Sequence, residues 1–121
     1  MSKLRIACIQ TNSSPNPEEN IAIVSVLIRE ACAAGAEFIT TPEVVGMLEP
    51  DRIAALSKAQ SEEKHQVLVA FQGLALELGI WLLIGSISIK VSDTKLSNRS
   101  FLINPKGEVI ARYSKIHMFD V

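Results

Sequence analysis

Two hydrophobic periods alternate along the chain, and the places where one gives way to the other mark its elements. Leu4 to Gln10 is a short β-rich run, ending in the turn and capping cluster Thr11-Asn12-Ser13-Ser14-Pro15-Asn16. Ile21, Val24, Leu27, Ile28, Ala31 and Cys32 then recur at helical spacing, which places them on one stripe. Asn16 is suited to cap that helix, Pro17 to open it, Glu18 and Glu19 to face the positive end of its dipole, and Gly35 to stop it. Glu37 to Thr41 is a second strand, Pro42 to Pro50 a loop, and Asp51 the cap of a short helical stretch through Leu56. A longer helix follows, with Val67, Leu68, Phe71, Leu74, Ala75 and Leu78 on one side and Gly79 at its end. Ile80 to Ile89 has the pattern of a long buried strand. After a polar turn over Lys90 to Ser97, the runs Arg99 to Ile103 and Glu108 to Tyr113 are joined by Asn104-Pro105-Lys106-Gly107, with Pro and Gly at favoured turn positions.

The resulting order, β-α-β-α-β-β-β, predicts an α/β fold whose sheet begins with parallel strands and ends in an antiparallel hairpin, with helices over one face. Composition then narrows the class. A chain of 121 residues, 48% hydrophobic, is one domain with ample core material. A formal charge of −1 offers no basic face for nucleic acid. The apolar runs are far shorter than the roughly 20 residues a membrane-spanning helix needs. Met1-Ser2-Lys3 leads directly into the first strand, so neither export nor membrane insertion is expected, and a cytoplasmic location is. Cys8 and Cys32 sit inside apolar patterns, which points to reduced thiols packed in the core.

An α/β order invites a nucleotide-binding interpretation, but Gln10 to Glu19 contains no glycine to let backbone amides approach a phosphate, and no Gly-Lys-Ser/Thr sequence occurs. What remains is a set of polar residues at strand ends, where α/β sheets build their sites. Thr41-Pro42-Glu43 places a carboxylate directly after the second strand, with proline fixing the backbone before it. Lys115 follows the last strand in Tyr113-Ser114-Lys115-Ile116-His117-Met118-Phe119-Asp120-Val121. His65, near the start of a helix, is expected to be exposed. His117 is two residues from Lys115. Asn98 and Arg99 are candidates for lining a pocket. No cluster of Cys, His and carboxylates has ligand spacing, so neither a metal nor another cofactor is expected.

The Pro-Glu after strand two and the Tyr-x-Lys-x-His-x-Phe-Asp after a Gly-turn hairpin resemble the first two signature segments of the nitrilase superfamily of carbon-nitrogen hydrolases. The resemblance extends from Leu4-Arg5-Ile6-Ala7-Cys8-Ile9-Gln10 through Asn98 to Tyr113, and within the superfamily the chain is similar to small amidases of the omega-amidase and deaminated-glutathione-amidase type. It implies a four-layer α-β-β-α sandwich, of which residues 1–121 would be the N-terminal half. It also implies a Glu-Lys-Cys triad. Glu43 would be its general base and Lys115 its oxyanion-stabilising cation, with a small-molecule amide as substrate. Within the motif, His117 and Asp120 are expected to hold the lysine segment by hydrogen bonds.

Neither Cys8 nor Cys32 matches the family's nucleophile position, so the chain is expected to be truncated before the catalytic cysteine and inactive alone. With half of a sandwich missing, apolar sheet surface should lie uncovered and the chain should form homo-oligomers. Three functions fit: a piece of an amidase, a pseudoenzyme or binding module, or an assembly half that pairs with a chain carrying the cysteine.

Overall fold

The structure, a computed structural model, describes residues 3–43, 51–114 and 119–120. Its elements are β1 (Ile6–Cys8), α1 (Pro17–Ala33), β2 (Phe38–Thr40), α2 (Arg52–Lys58), a single 3-10 turn (Glu62–Lys64), α3 (Gln66–Leu78), β3 (Trp81–Ser92), β4 (Lys95–Ile103), β5 (Val109–Ser114) and β6 (Phe119–Asp120). The strands form one mixed sheet in the order β1-β2-β3-β4-β5, with β6 also pairing to β4. β1, β2 and β3 are parallel, while β3, β4 and β5 are antiparallel neighbours. This is the predicted α/β topology. Among the described residues no helix is long and apolar enough to cross a membrane.

The helix boundaries follow the capping chemistry. The Asn16 side chain accepts from the Glu19 amide at 3.2 Å with Pro17 in the first turn, and Asp51 accepts from Ile53 N at 3.0 Å and Ala54 N at 3.3 Å. Gly79 ends α3 in the left-handed region at φ 65, a conformation that costs glycine nothing. In the first turn of α1, Asn20 is buried and closes the preceding loop, accepting from Ser14 N and donating to Ser14 O, both at 2.8 Å.

The core is a single layer between helices and sheet. Val24 and Ile28 of α1 and Phe71 and Leu74 of α3 pack on Ile39, Leu82, Ile84, Phe101 and Ile103. An exposed ion pair, Arg29 with Glu77, joins the two helices on the solvent side; it raises the guanidinium pKa and lowers that of the carboxyl, but its exposure keeps its effect on stability small. The opposite face of the sheet is not covered by α1 or α3. Leu4 and Ile6 are 61% and 59% exposed there, and Trp81 is exposed beside them.

That one-sided coverage corrects the expectation for Cys8. Cys8 shares the uncovered face with Ile6, two residues before it, and is exposed. Cys32, on the apolar stripe of α1, does pack against the core. The polar stretch from Lys90 to Ser97 is also different from its sequence reading. Only Asp93 and Thr94 turn, while Ser92 pairs with Lys95 and Ser88 with Asn98. Polar side chains on an extended two-stranded ribbon need no apolar alternation, so periodicity alone does not reveal such a strand.

His65 is buried rather than exposed, at 6% accessibility. Its ring turns inward, Nε2 lies 3.0 Å from the Ser88 carbonyl oxygen, and Nδ1 is buried without a partner. A carbonyl accepts only, so the neutral ring carries its proton on Nε2. Burial pushes the His65 pKa below its ordinary value, opposed in part by the bond to Ser88.

The 3-10 turn is tied to the far strands by charge. Glu62 accepts from Arg99 Nη1 at 2.9 Å through one oxygen and pairs with Arg112 Nη2 at 3.2 Å through the other. Arg99 Nε in turn donates to Ser114 Oγ at 2.7 Å.

Two outcomes are expected. As pH falls below about 6.5, the unfolded chain takes up a proton at His65 before the folded one does, so stability present at neutral pH is lost as the pH drops toward the depressed folded-state value. A His65→Gln variant should show a flatter decline in urea midpoint between pH 7 and about 5; parallel curves for the two proteins would contradict the assignment. Replacing Glu62 with Gln leaves Arg99 and Arg112 facing each other without a carboxylate between them, and should cost about 1–2 kcal/mol. An unchanged urea midpoint for Glu62→Gln would show that the clamp contributes nothing.

Candidate active site

β1, β2, β3 and β5 all run in one direction, so β1, β2 and β5 leave the sheet at the same edge. Thr41, Pro42 and Glu43 follow the end of β2, and Glu43 is exposed. β5 ends at Ser114, the residue immediately before Lys115. Lys115 and His117 lie outside the described residues. The topology thus delivers the strand preceding each predicted catalytic residue to one edge, the place where α/β sheets gather their chemistry.

The path of the chain into Glu43 is set by β3. The amide of Thr41 still pairs with the Leu83 carbonyl at 3.0 Å, continuing the parallel ladder past the end of β2. Beyond it the backbone passes directly over Gly85. A Cβ at that position would stand 2.4 Å from Thr41 O and 2.5 Å from Pro42 O, closer than any side chain allows. By alternation from Trp81 and Leu83, position 85 faces the sheet surface opposite α1 and α3, so the turn into Glu43 lies on that side.

Gly85 is held in the middle of a β-bulge. The register pairs Ile84 with Phe101 and Ile87 with Arg99, so Gly85 and Ser86 together oppose Ser100. Both backbone groups of Gly85 are bonded to hydroxyls. Its N–H donates to Thr41 Oγ1 at 3.1 Å, and its carbonyl accepts from Ser100 Oγ at 2.6 Å. Thr41 itself is buried. Ser100 also borders a shallow hollow of about 120 Å³ on the open face, with Leu83, Leu102, Ala111 and Tyr113.

The remaining candidates have structural neighbours. Arg99 belongs to the Glu62 clamp, and Asn98 Oδ1 accepts from Ser88 Oγ at 3.1 Å. The backbone of Asp120 pairs with Lys95 through β6. Among the described residues no group of His, Cys, Asp and Glu is placed to hold a metal ion. Gly85, Ser100 and Glu62 are not among the candidates drawn from the sequence pattern. A glycine inside an apolar strand is a recognised mark of a bulge or of close backbone approach, so the first was detectable. For Glu62, one of several charges between two helices, the sequence carries no such sign.

Comparison with known proteins places the chain. Residues 5–121 match the carbon-nitrogen hydrolase family. The chain is 33% identical to the deaminated glutathione amidase of Mus musculus, over 96% of its own length and 37% of that protein. It is 31% identical to the omega-amidase of Xenopus tropicalis, over 100% of its length and 43% of that protein. The chain therefore spans about two-fifths of the curated relatives it matches. Among solved structures, an amidase from Nesterenkonia sp. superposes with a TM-score of 0.80 at 24% identity, covering 94% of this chain and 43% of that one. A Glu-to-Gln variant of the amidase from Nesterenkonia sp. AN1, with acrylamide added to its active-site cysteine, gives 0.81 at 22% identity over 98% of this chain and 46% of that one. The NitFhit protein of C. elegans gives 0.82 at 23% identity over 96% of this chain and 28% of that one. The fold is thus shared with nitrilase-superfamily amidases. By its sequence match, this chain belongs to the carbon-nitrogen hydrolase family.

Proposed function

We propose that residues 1–121 supply the general base Glu43 and the cation Lys115 of an amidase acting on a small linear amide, of which an ω-amide is the favoured class. The thiol nucleophile comes from a segment other than residues 1–121. In this mechanism the Glu43 carboxylate takes the thiol proton as sulfur attacks the amide carbon. The Lys115 ammonium stabilises the oxyanion of the tetrahedral intermediate. Collapse of that intermediate breaks the carbon-nitrogen bond, Glu43 passes its proton to the departing nitrogen, and ammonia leaves. Glu43 then deprotonates the water that attacks the thioester, and a second collapse releases the acid and restores the thiol.

The observation that carries this reading is the placement of Glu43 on a turn held over Gly85, at the same sheet edge to which β5 delivers the chain just before Lys115. Family membership and the amidase names of the relatives support it. So does the Nesterenkonia amidase, whose active-site cysteine takes up acrylamide in a Glu-to-Gln variant.

A second reading is favoured by the uncovered apolar face around Leu4, Ile6 and Trp81. There the chain is a binding module or an assembly half that pairs with a complementary chain. In either case the working form is an oligomer, and light scattering after size exclusion should give a mass above that of one chain.

With the cysteine-bearing segment supplied, the protein is expected to release ammonia from small ω-amides. Glu43→Gln and Lys115→Met should each lower kcat/KM by about 10²- to 10³-fold, with Cys8→Ser unchanged. Residues 1–121 alone should release none. Full activity in Glu43→Gln would sink the assignment, and amide binding without ammonia release in any form would favour the binding module.

A further inference from the structure

We infer that Thr41 is a positioning residue for Glu43, and that it acts through the bulge at Gly85. The inference rests on Glu43 being the base, as proposed above, but its evidence is separate. The backbone segment that carries Glu43 touches the sheet at Gly85, where the absent side chain leaves just enough room for Thr41 O and Pro42 O. Closeness alone does not fix a turn, because a bare glycine also permits the strand to slide or twist. What removes that freedom is the pair of hydroxyl bonds at its two backbone groups.

Thr41 Oγ1 accepts from Gly85 N at 3.1 Å, so the residue two positions before Glu43 is bonded to β3 through its side chain as well as through its amide to Leu83 O at 3.0 Å. These two bonds reach successive odd positions of β3, one on each side of Ile84, and Thr41 has a β-branched side chain with few rotamers to lose. On the other side of the strand, Ser100 Oγ donates to Gly85 O at 2.6 Å, which ties the bulge to β4. A bulged residue has no regular ladder partner, and here the hydroxyls of Thr41, just past β2, and of Ser100, on β4, stand in for one. Pro42 removes one backbone dihedral from the short link between Thr41 and Glu43. The orientation of the carboxylate therefore follows from that of Gly85, and Thr41 transmits it.

Positioning predicts a loss in kcat without a matching change in KM, because a displaced base impairs the reacting geometry and leaves ground-state binding alone. The test compares Thr41→Val, which keeps the shape and loses the hydroxyl, with Thr41→Ser, which keeps the hydroxyl. Both are made in the protein with its cysteine-bearing segment present. The first readout is steady-state ammonia release. The second is hydrogen exchange of the Gly85 amide, together with the amide resonance of Glu43. Thr41→Val should lower kcat about ten- to hundredfold with KM within about twofold, and speed Gly85 exchange at least about tenfold. Thr41→Ser should restore both to within about threefold. Ser100→Ala should speed Gly85 exchange as well, and it serves where Thr41→Val does not fold.

An active Thr41→Val protein with wild-type kcat overturns the inference whatever its exchange rate. So does a loss that Thr41→Ser fails to rescue. If no form of the protein hydrolyses any amide, the amidase reading fails by itself. Unchanged Gly85 exchange and an unmoved Glu43 resonance in Thr41→Val would then overturn the positioning role independently, and changes in both would uphold it.

Discussion

Burial of one face of the sheet under α1 and α3 is the constraint from which the other features follow. α1 and α3 lie on the same side, so the strands must present their large aliphatic and aromatic side chains to that side and whatever they can tolerate in water to the other. In β3 the alternation is plain: Leu82 and Ile84 are buried while Trp81 is exposed and Leu83 only half-covered. β1 and β2 obey the same phase, with Ile39 buried and Ile6 and Cys8 exposed. The turn into Glu43 is on the open side for the same reason, since the helix side of Gly85 is filled by core.

The bulge is a product of that constraint as well. Strict alternation from Ile84 would turn Ser86 and Ser88 toward the helices and Ile87 and Ile89 toward water, because a one-residue slip inverts every later side chain. An extra residue at Gly85-Ser86 resets the phase, and Ile87 and Ile89 return to the core, each at 1% accessibility. The burial of two isoleucines therefore stabilises a local irregularity whose other consequence is room for the Thr41-Pro42 backbone. Core packing and the geometry of the candidate site are set by the same pair of residues.

This explains what could and could not be seen in the sequence. The helices were legible because caps, acidic first turns and apolar stripes are local, and Asn16, Asp51 and Gly79 act where their chemistry predicts. The parallel-then-antiparallel order was legible from the alternation of elements and the Gly107 turn. The spacing Ile84 to Ile87 to Ile89, interrupted by Gly85, also contained the bulge, although a search for strands of uniform period overlooks it. The environments of His65 and Cys8 are not legible because their exposure depends on partners distant in sequence: a carbonyl of β3 turns one inward, and the other lies on the sheet face that α1 and α3 do not cover. Glu43 as a candidate comes from a strand-end motif, whereas the grip of Thr41 and Ser100 on Gly85 depends on β3, β4 and the segment after β2 meeting and has no local signature.

β4 has a particular place in this arrangement, because two of its adjacent residues act on opposite faces. Arg99 points to the helix side, where it bonds Glu62 and Ser114 and so fixes the end of β5. Ser100 points to the open side and holds the carbonyl of Gly85, on which the Glu43 turn rests. Successive side chains of a strand always alternate in this way, so β4 links both exits from the sheet without any long-range device. The two bonds differ in chemistry as their surroundings require. The helix side at that level has a carboxylate and a second guanidinium, which suits a charge-assisted fork, while the bulge offers only neutral backbone groups, which suit a hydroxyl. A strand that anchors both exits makes their separation a property of the sheet rather than of the loops, and rigid elements hold reacting groups at fixed distances better than loops do. The edge is therefore built to hold the exits of β2 and β5 at a fixed spacing.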